Sequence, residues 1–224
     1  MMQIPLNIRF RINEKLYVKD PETSDLGKNI LKHSILMIHE IGFDAFTFKK
    51  LGVVIRSNES SVYRYFENKH KLLLYLSSWY WSWVEYRMLF AIQNINDPLT
   101  KLQLAVKEVT GEVLDDDKTD YIDESVLNKI IIAEFTKTFL TKEVDEENKE
   151  GFFLVYKNVI CRLATLIADV NAEYPYIKSL ASSIVEGALH QHYLKTHFKT
   201  ITDFSEEKND ITTFYNQNLE RILL

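Results

Sequence analysis

The run Phe46-Thr47-Phe48-Lys49-Lys50-Leu51, followed after a short interval by Ser57-Asn58-Glu59-Ser60-Ser61-Val62-Tyr63-Arg64-Tyr65-Phe66-Glu67-Asn68-Lys69-His70-Lys71-Leu72-Leu73, holds the densest helix signals in the chain. Thr47 is placed to cap a short helix through Val54, with Phe48 and Leu51 turned inward. Ser57-Asn58 offers the cap of a second helix, Glu59–Phe66, in which Val62 and Phe66 share one face four residues apart. Asn68 caps a third helix that starts at Lys69. Two short helices joined by a tight turn are the grammar of a helix-turn-helix, whose second helix enters a DNA major groove. Its exposed N-terminal positions must then be small or polar. Glu59, Ser60, Ser61 and Arg64 meet that demand, while Val62 and Phe66 hold the helix to its scaffold.

The charges around this run point the same way. The chain has a net charge of −5, yet residues 1–70 carry 11 Lys/Arg against 8 Asp/Glu. Residues 47–71 hold six basic residues and two acidic ones, a local patch that suits a polyanion. Lys49 and Lys50 fall in the first turn of one helix, and Lys69 and Lys71 in the first turn of another. Cations there oppose the helix dipole, at a cost of a few tenths of a kcal/mol. Phosphate oxygens at those ends would reverse the sign.

The two runs together, with Ile38–Gly42 and Phe43 before them, resemble the DNA-binding domain of TetR-family transcriptional regulators. The spacing from Leu51 to Tyr63 matches without a gap, and Val62-Tyr63-x-Tyr65-Phe66-x-x-Lys69-x-x-Leu72-Leu73 is the most specific part. The close match covers residues 26–76. The resemblance implies an all-α homodimer, with a helix-turn-helix domain at 23–70 and a helical effector-binding and dimerisation domain at 71–224. It implies that Thr47 caps the second helix and contacts phosphate, beside Lys49. Asn58, Glu59, Ser60 and Ser61 would begin the recognition helix, Tyr63 and Tyr65 would reach the DNA backbone, and Lys69 would sit against phosphate. Arg64 is suited to a bidentate contact with guanine. Three positions depart from the pattern. Arg56 stands at a turn usually taken by glycine, Gly52 replaces an alanine, and Glu59 opposes phosphate but can accept from a cytosine amino group.

Outward from this segment, Ile4, Leu6, Ile8, Phe10 and Ile12 alternate with polar residues, which predicts a strand. With Leu16-Tyr17-Val18 it would form a β arm over residues 1–22, its apolar face docked on the helices. Arg9 and Arg11 would then face outward, toward phosphate or a minor groove. Helical periods predict about nine helices. After a first helix ending at Gly42 and the three above, they fall at 98–114, 123–140, 144–170, 176–198 and 205–222. The helix from Lys69 to Gln93 is apolar nearly all round, as a helix buried against several partners must be. Its ring-rich run is too crowded for one core face, which marks Trp79, Trp83 and Tyr86 as candidates to line an effector pocket. Ala181, Gly187 and Ala188 allow close helix approach, so 176–198 with 152–170 is the candidate dimer interface, intrachain packing being the rival.

Composition removes other classes. Six Gly and four Pro are too few for a turn-rich β fold, and no Gly-rich phosphate loop occurs. One cysteine excludes an intrachain disulfide, and Cys161 reads as a buried thiol. No catalytic set, cofactor or metal site is expected. Glu186, His190 and His197 share a helical spacing but lack a full ligand set, and Ser205 reads as a helix cap. No secretory signal or membrane span is found, so a cytoplasmic place is expected. The expected function is a ligand-responsive repressor of a palindromic double-stranded DNA operator, released by a small apolar effector. The alternative is a helical small-molecule-binding or interaction protein that has lost DNA readout.

Overall fold

Capping side chains set most of the boundaries in the computed structural model, which describes residues 9–115, 119–205 and 210–224. Eleven α-helices form among them: α1 (Asp25–Ala45), α2 (Phe48–Val54), α3 (Glu59–Tyr63), α4 (Lys69–Ala91), α5 (Pro98–Thr110), α6 (Glu124–Ala133), α7 (Phe135–Phe139), α8 (Val144–Lys149), α9 (Leu154–Val170), α10 (Ile177–His197) and α11 (Ile211–Leu223). The all-α expectation holds, with more pieces than the periods suggested. Glu134 interrupts 123–140, and Gly151, at φ +81°, interrupts 144–170. Ser205 does not cap α11, which starts at Ile211 after Asp210; residues 206–209 lie outside the described residues. Among the described residues, no helix is long and apolar enough to cross a membrane.

The β arm needs correction. Residues 4–8, which carry most of the predicted strand, lie outside the described residues, and no strand forms from residue 9 to residue 22. Asn13 accepts the Lys15 N–H (3.0 Å) and closes a 3₁₀ turn, Glu14–Leu16; Asp20 accepts the Glu22 N–H (2.9 Å) and closes another, Pro21–Thr23. Local bonds of this kind compete with a hairpin ladder, and here they win. The apolar residues still dock on the chain's own helices. Ile12 and Leu16 are buried, and Phe10 sets its edge on Trp79 at 5.2 Å. Arg9 is held by Asp20 and Glu22.

Two compact units are present. The first comprises Met1–Tyr80 and Val113–Phe153. It holds α1, α2, α3, the first half of α4, and α6–α8, with α1 packed on α2 and α6. The second comprises Trp81–Glu112 and Leu154–Leu224. In it α9 packs on α5 and α10, and α11 on α5. Every residue of α4 from Leu72 to Val84 is buried, which explains its lack of a polar side. Ala181 and Ala188 are buried, and Tyr215 of α11 fills the space beside Gly187, so these small residues serve packing within the chain. Cys161 is exposed, contrary to expectation: Val159, Leu163 and Leu166 define the inward face of α9, and Cys161 falls opposite.

Candidate nucleic-acid interface

Gly42 begins the site. Its φ of +76° is open to glycine at little cost and breaks the ladder of α1 just before Phe43. The Phe43 N–H then points to Glu134 Oε1, 3.1 Å away, and Lys137 joins Glu134 (3.0 Å) to Asp44 (2.7 Å). The hydrogen bond from Lys137 holds the Asp44 carboxyl below its ordinary range. From this fixed end the chain enters Thr47, which accepts the Lys50 N–H (3.2 Å) and caps α2.

Phe48 and Leu51 are buried, as predicted, and Gly52 has a geometric reason to be glycine. A Cβ there would stand 3.0 Å from the Ser57 carbonyl oxygen and 3.2 Å from the Glu59 nitrogen. The turn folds tightly back on α2, and the Ser57 N–H reaches the Gly52 carbonyl at 2.8 Å. Arg56 makes this turn at φ +53°, the left-handed region where a side chain is strained. Asn58 caps α3 by accepting from the Ser61 N–H (2.8 Å). It also accepts from both hydroxyls, Ser60 at 2.8 Å and Ser61 at 2.6 Å, so the two serines turn back toward the cap. The helix is shorter than predicted, ending at Tyr63 with a turn through Phe66.

Val62 is fully buried, while Tyr63 is half exposed with its ring edge on Phe48 (5.0 Å). Thr47, Lys49, Asn58, Ser60 and Arg64 are exposed, and Glu59 is half-buried at the start of α3. Among the described residues, no ion pair or hydrogen bond engages the side chains of Lys49, Arg56 or Arg64. The surface of α2, the turn and α3 therefore presents free cations around a short polar helix.

Two residues expected at phosphate are engaged inside the unit. Lys69 donates to the carbonyls of Phe43 (2.9 Å), Asp44 (3.1 Å) and Phe46 (3.2 Å), and its ammonium lies over the Phe43 ring. A lysine at the start of α4 thus satisfies the orphan carbonyls at the end of α1, which removes the conflict with its own helix dipole. Lys71 donates to the Lys15 carbonyl (3.3 Å) and covers the Phe152 ring. Tyr65 is buried, its hydroxyl 2.7 Å from Ser24 Oγ, the cap of α1. Lys69 thus ties the start of α4 to the end of α1, and Tyr65 ties the turn after α3 to the start of α1. Their partners lie 26 and 41 residues away, and no local pattern announces them.

The effector-pocket residues divide between the units. Trp79 is buried in the first, its indole N–H donated to Glu22 (3.1 Å). Burial, and then the charge of Asp20, raise the Glu22 carboxyl above its ordinary range. In the second unit Trp83 is buried under the Arg87 guanidinium, and Tyr86 stacks on Phe90. A cleft of about 510 Å³ opens in the first unit between α1 and residues 119–123, lined by Lys32, Leu36, Asp120, Tyr121 and Asp123 among others. None of the three predicted pocket residues lines it. Glu186 accepts from Tyr156 (2.5 Å), and Tyr193 packs on His197. Among the described residues, no group of three His, Cys, Asp or Glu stands ready for a metal.

No family model matches the chain, and no curated protein does. Solved structures do. AibR, crystallised with isovaleryl coenzyme A and operator DNA, is similar over 88% of this chain and 98% of its own, with 16% identity and a TM-score of 0.60. A bacterial regulatory protein of the tetR family from Rhodococcus RHA1 is similar over 90% and 98%, with 14% identity and a TM-score of 0.61. The superantigen PfiT is similar over 92% and 98%, with 13% identity and a TM-score of 0.57. The chain has a TetR-like fold.

Proposed function

We propose that the chain is a ligand-responsive, DNA-binding transcriptional regulator and not an enzyme. The observation that carries this reading is the exposed surface of α2, the turn and α3, where Lys49, Arg56 and Arg64 stand free, and Tyr63 half exposed, over a buried anchor of Phe48, Leu51 and Val62. Lys49, Tyr63 and Thr47 would take phosphate, and Arg64 and Glu59 base edges. Lys69 and Tyr65 position them without touching DNA. The crystal of AibR with operator DNA and an acyl coenzyme A supports both partners, DNA and a small molecule. A cytoplasmic homodimer would place two copies of α3 about 34–36 Å apart, on successive major grooves of a palindromic operator. An effector bound within residues 71–224, with Trp83 and Tyr86 nearby, would favour another spacing and release the DNA, as a repressor does. Fold alone does not decide the matter, since PfiT shares it and is named a superantigen.

The experiment is retention of genomic fragments by the purified protein, with and without cell extract. Specific fragments should be retained and partly released by extract. On the retained site, Lys49→Ala should lower the salt slope by about one. Arg64→Ala should relax preference at one base position by about 1–3 kcal/mol. Retention no better than for mixed-sequence DNA, with both variants behaving as wild type, would refute the reading. The helical binding protein without DNA readout would then stand.

A further inference from the structure

The helix that would read DNA is only five residues long, too short to hold its own direction. Val62 anchors its middle, and Asn58 its start. Its far end is held from outside the helix-turn-helix. The Val18 N–H donates to the Tyr65 carbonyl at 2.8 Å, in the turn that closes α3. The same tyrosine is gripped at its tip by Ser24 Oγ (2.7 Å), and the Lys19 ammonium lies 5.2 Å from its ring centre. Val18 itself is exposed, so its amide, and not its side chain, makes the contact.

The segment that brings Val18 there is fastened along its length. Asn13 donates to the Glu150 carbonyl (2.9 Å), and Lys15 pairs with the Glu150 carboxylate. Leu16 is fully buried, the Lys15 carbonyl accepts from Lys71, and Tyr17 sets its edge on Tyr75. A segment tied at one end to Glu150 and α4, and at the other to the C-terminal turn of α3, is a brace and not a loose tail.

We propose that residues 13–19 form a strap that sets the direction of α3, with the Val18-to-Tyr65 bond as its working contact. Val18, Ser24 and Tyr65 are positioning residues for DNA readout. The proposal rests on the DNA-binding reading above. It predicts that the strap acts on specificity more than on overall charge attraction, because no phosphate-binding group is involved.

The test is Val18→Pro, which removes the N–H, beside Val18→Ala, which keeps it. Tyr17 is extended (φ −141°, ψ 155°), a backbone that tolerates a following proline. Both variants should keep the helical circular dichroism of the wild type. Val18→Pro should bind the retained operator about five- to tenfold more weakly with an unchanged salt slope, while Val18→Ala binds as wild type. In the free protein, amides 59–66 should exchange faster in Val18→Pro only. Should the proline variant fail to fold, Tyr65→Phe, which loses the hydroxyl's bonds to Ser24 and to Lys19 of the strap, takes its place in both arms. Unchanged exchange overturns the strap, and so does faster exchange with unchanged operator affinity. A wild type that retains no DNA defeats the regulator reading instead, and the exchange arm then decides the brace by itself.

Discussion

Replacing Arg56 by glycine should stabilise the chain. Arg56 holds φ at +53°, and a side chain in that region costs about 1–2 kcal/mol. No contact of its exposed guanidinium offsets this among the described residues. Glycine relieves the strain but frees the unfolded chain, which takes back about 0.5–1 kcal/mol. The strain is the larger effect, leaving a net gain of about 0.5–1 kcal/mol. For a chain of this size the thermal midpoint should rise by roughly 1–4 °C. Thermal unfolding followed by circular dichroism reads this directly. Arg56→Ala is the control, because it loses the same charge and keeps the Cβ. Its midpoint should stay within about 1 °C of the wild type. A glycine variant that melts below wild type, or an alanine variant that gains as much, would show that backbone strain is not what this position carries.

Lys69→Met should destabilise the first unit by about 2–3 kcal/mol, since three carbonyls at the end of α1 lose a charged donor that is only half-buried. A urea midpoint unmoved by this change would contradict the bracing role. Glu22 gives the pH dependence. Its folded pKa lies above the ordinary 4.5, so its contribution is complete below that value and is lost as pH rises through the raised one. Urea midpoints from about pH 4 to pH 8 should show wild type losing ground to Glu22→Gln as pH rises. A difference that stays flat, or runs the other way, would mean that the carboxyl is not desolvated as described.

The legible part of the fold was the part written locally. Thr47, Asn58 and Asn68 cap helices through bonds to residues three positions on, and all three stand where the sequence placed them. Phe48, Leu51 and Val62 are buried for the same reason, a period that one helix face imposes; Phe66 is buried as well, from the turn that follows α3. The predicted return of the arm through Leu16-Tyr17-Val18 failed because Asn13 and Asp20 offered the backbone nearer partners than a second strand. Lys69 and Tyr65 were read by family position as DNA-backbone contacts; the bonds they make within the chain, to the two ends of α1, are long-range and had no local signature. Cys161 followed a count of apolar neighbours where the side of the helix mattered. Exposure of Lys49, Arg64 and Tyr63 agreed with the sequence because polar residues opposite a buried stripe have nowhere else to go.

The bond from Phe43 to Glu134 has a mechanical consequence. Gly42 frees an amide, and a carboxylate 91 residues away, on the bend between α6 and α7, takes it up. Swinging that bend without Phe43 would strand the amide at a cost of roughly 1–3 kcal/mol and leave the Glu134 carboxylate with Lys137 as its remaining partner. Moving both in step breaks neither; the exposed Asp44 travels on the same piece. The soft displacement of the bend is therefore one that carries the end of α1, Thr47 and the first turn of α2 as a single lever, with a glycine for its pivot.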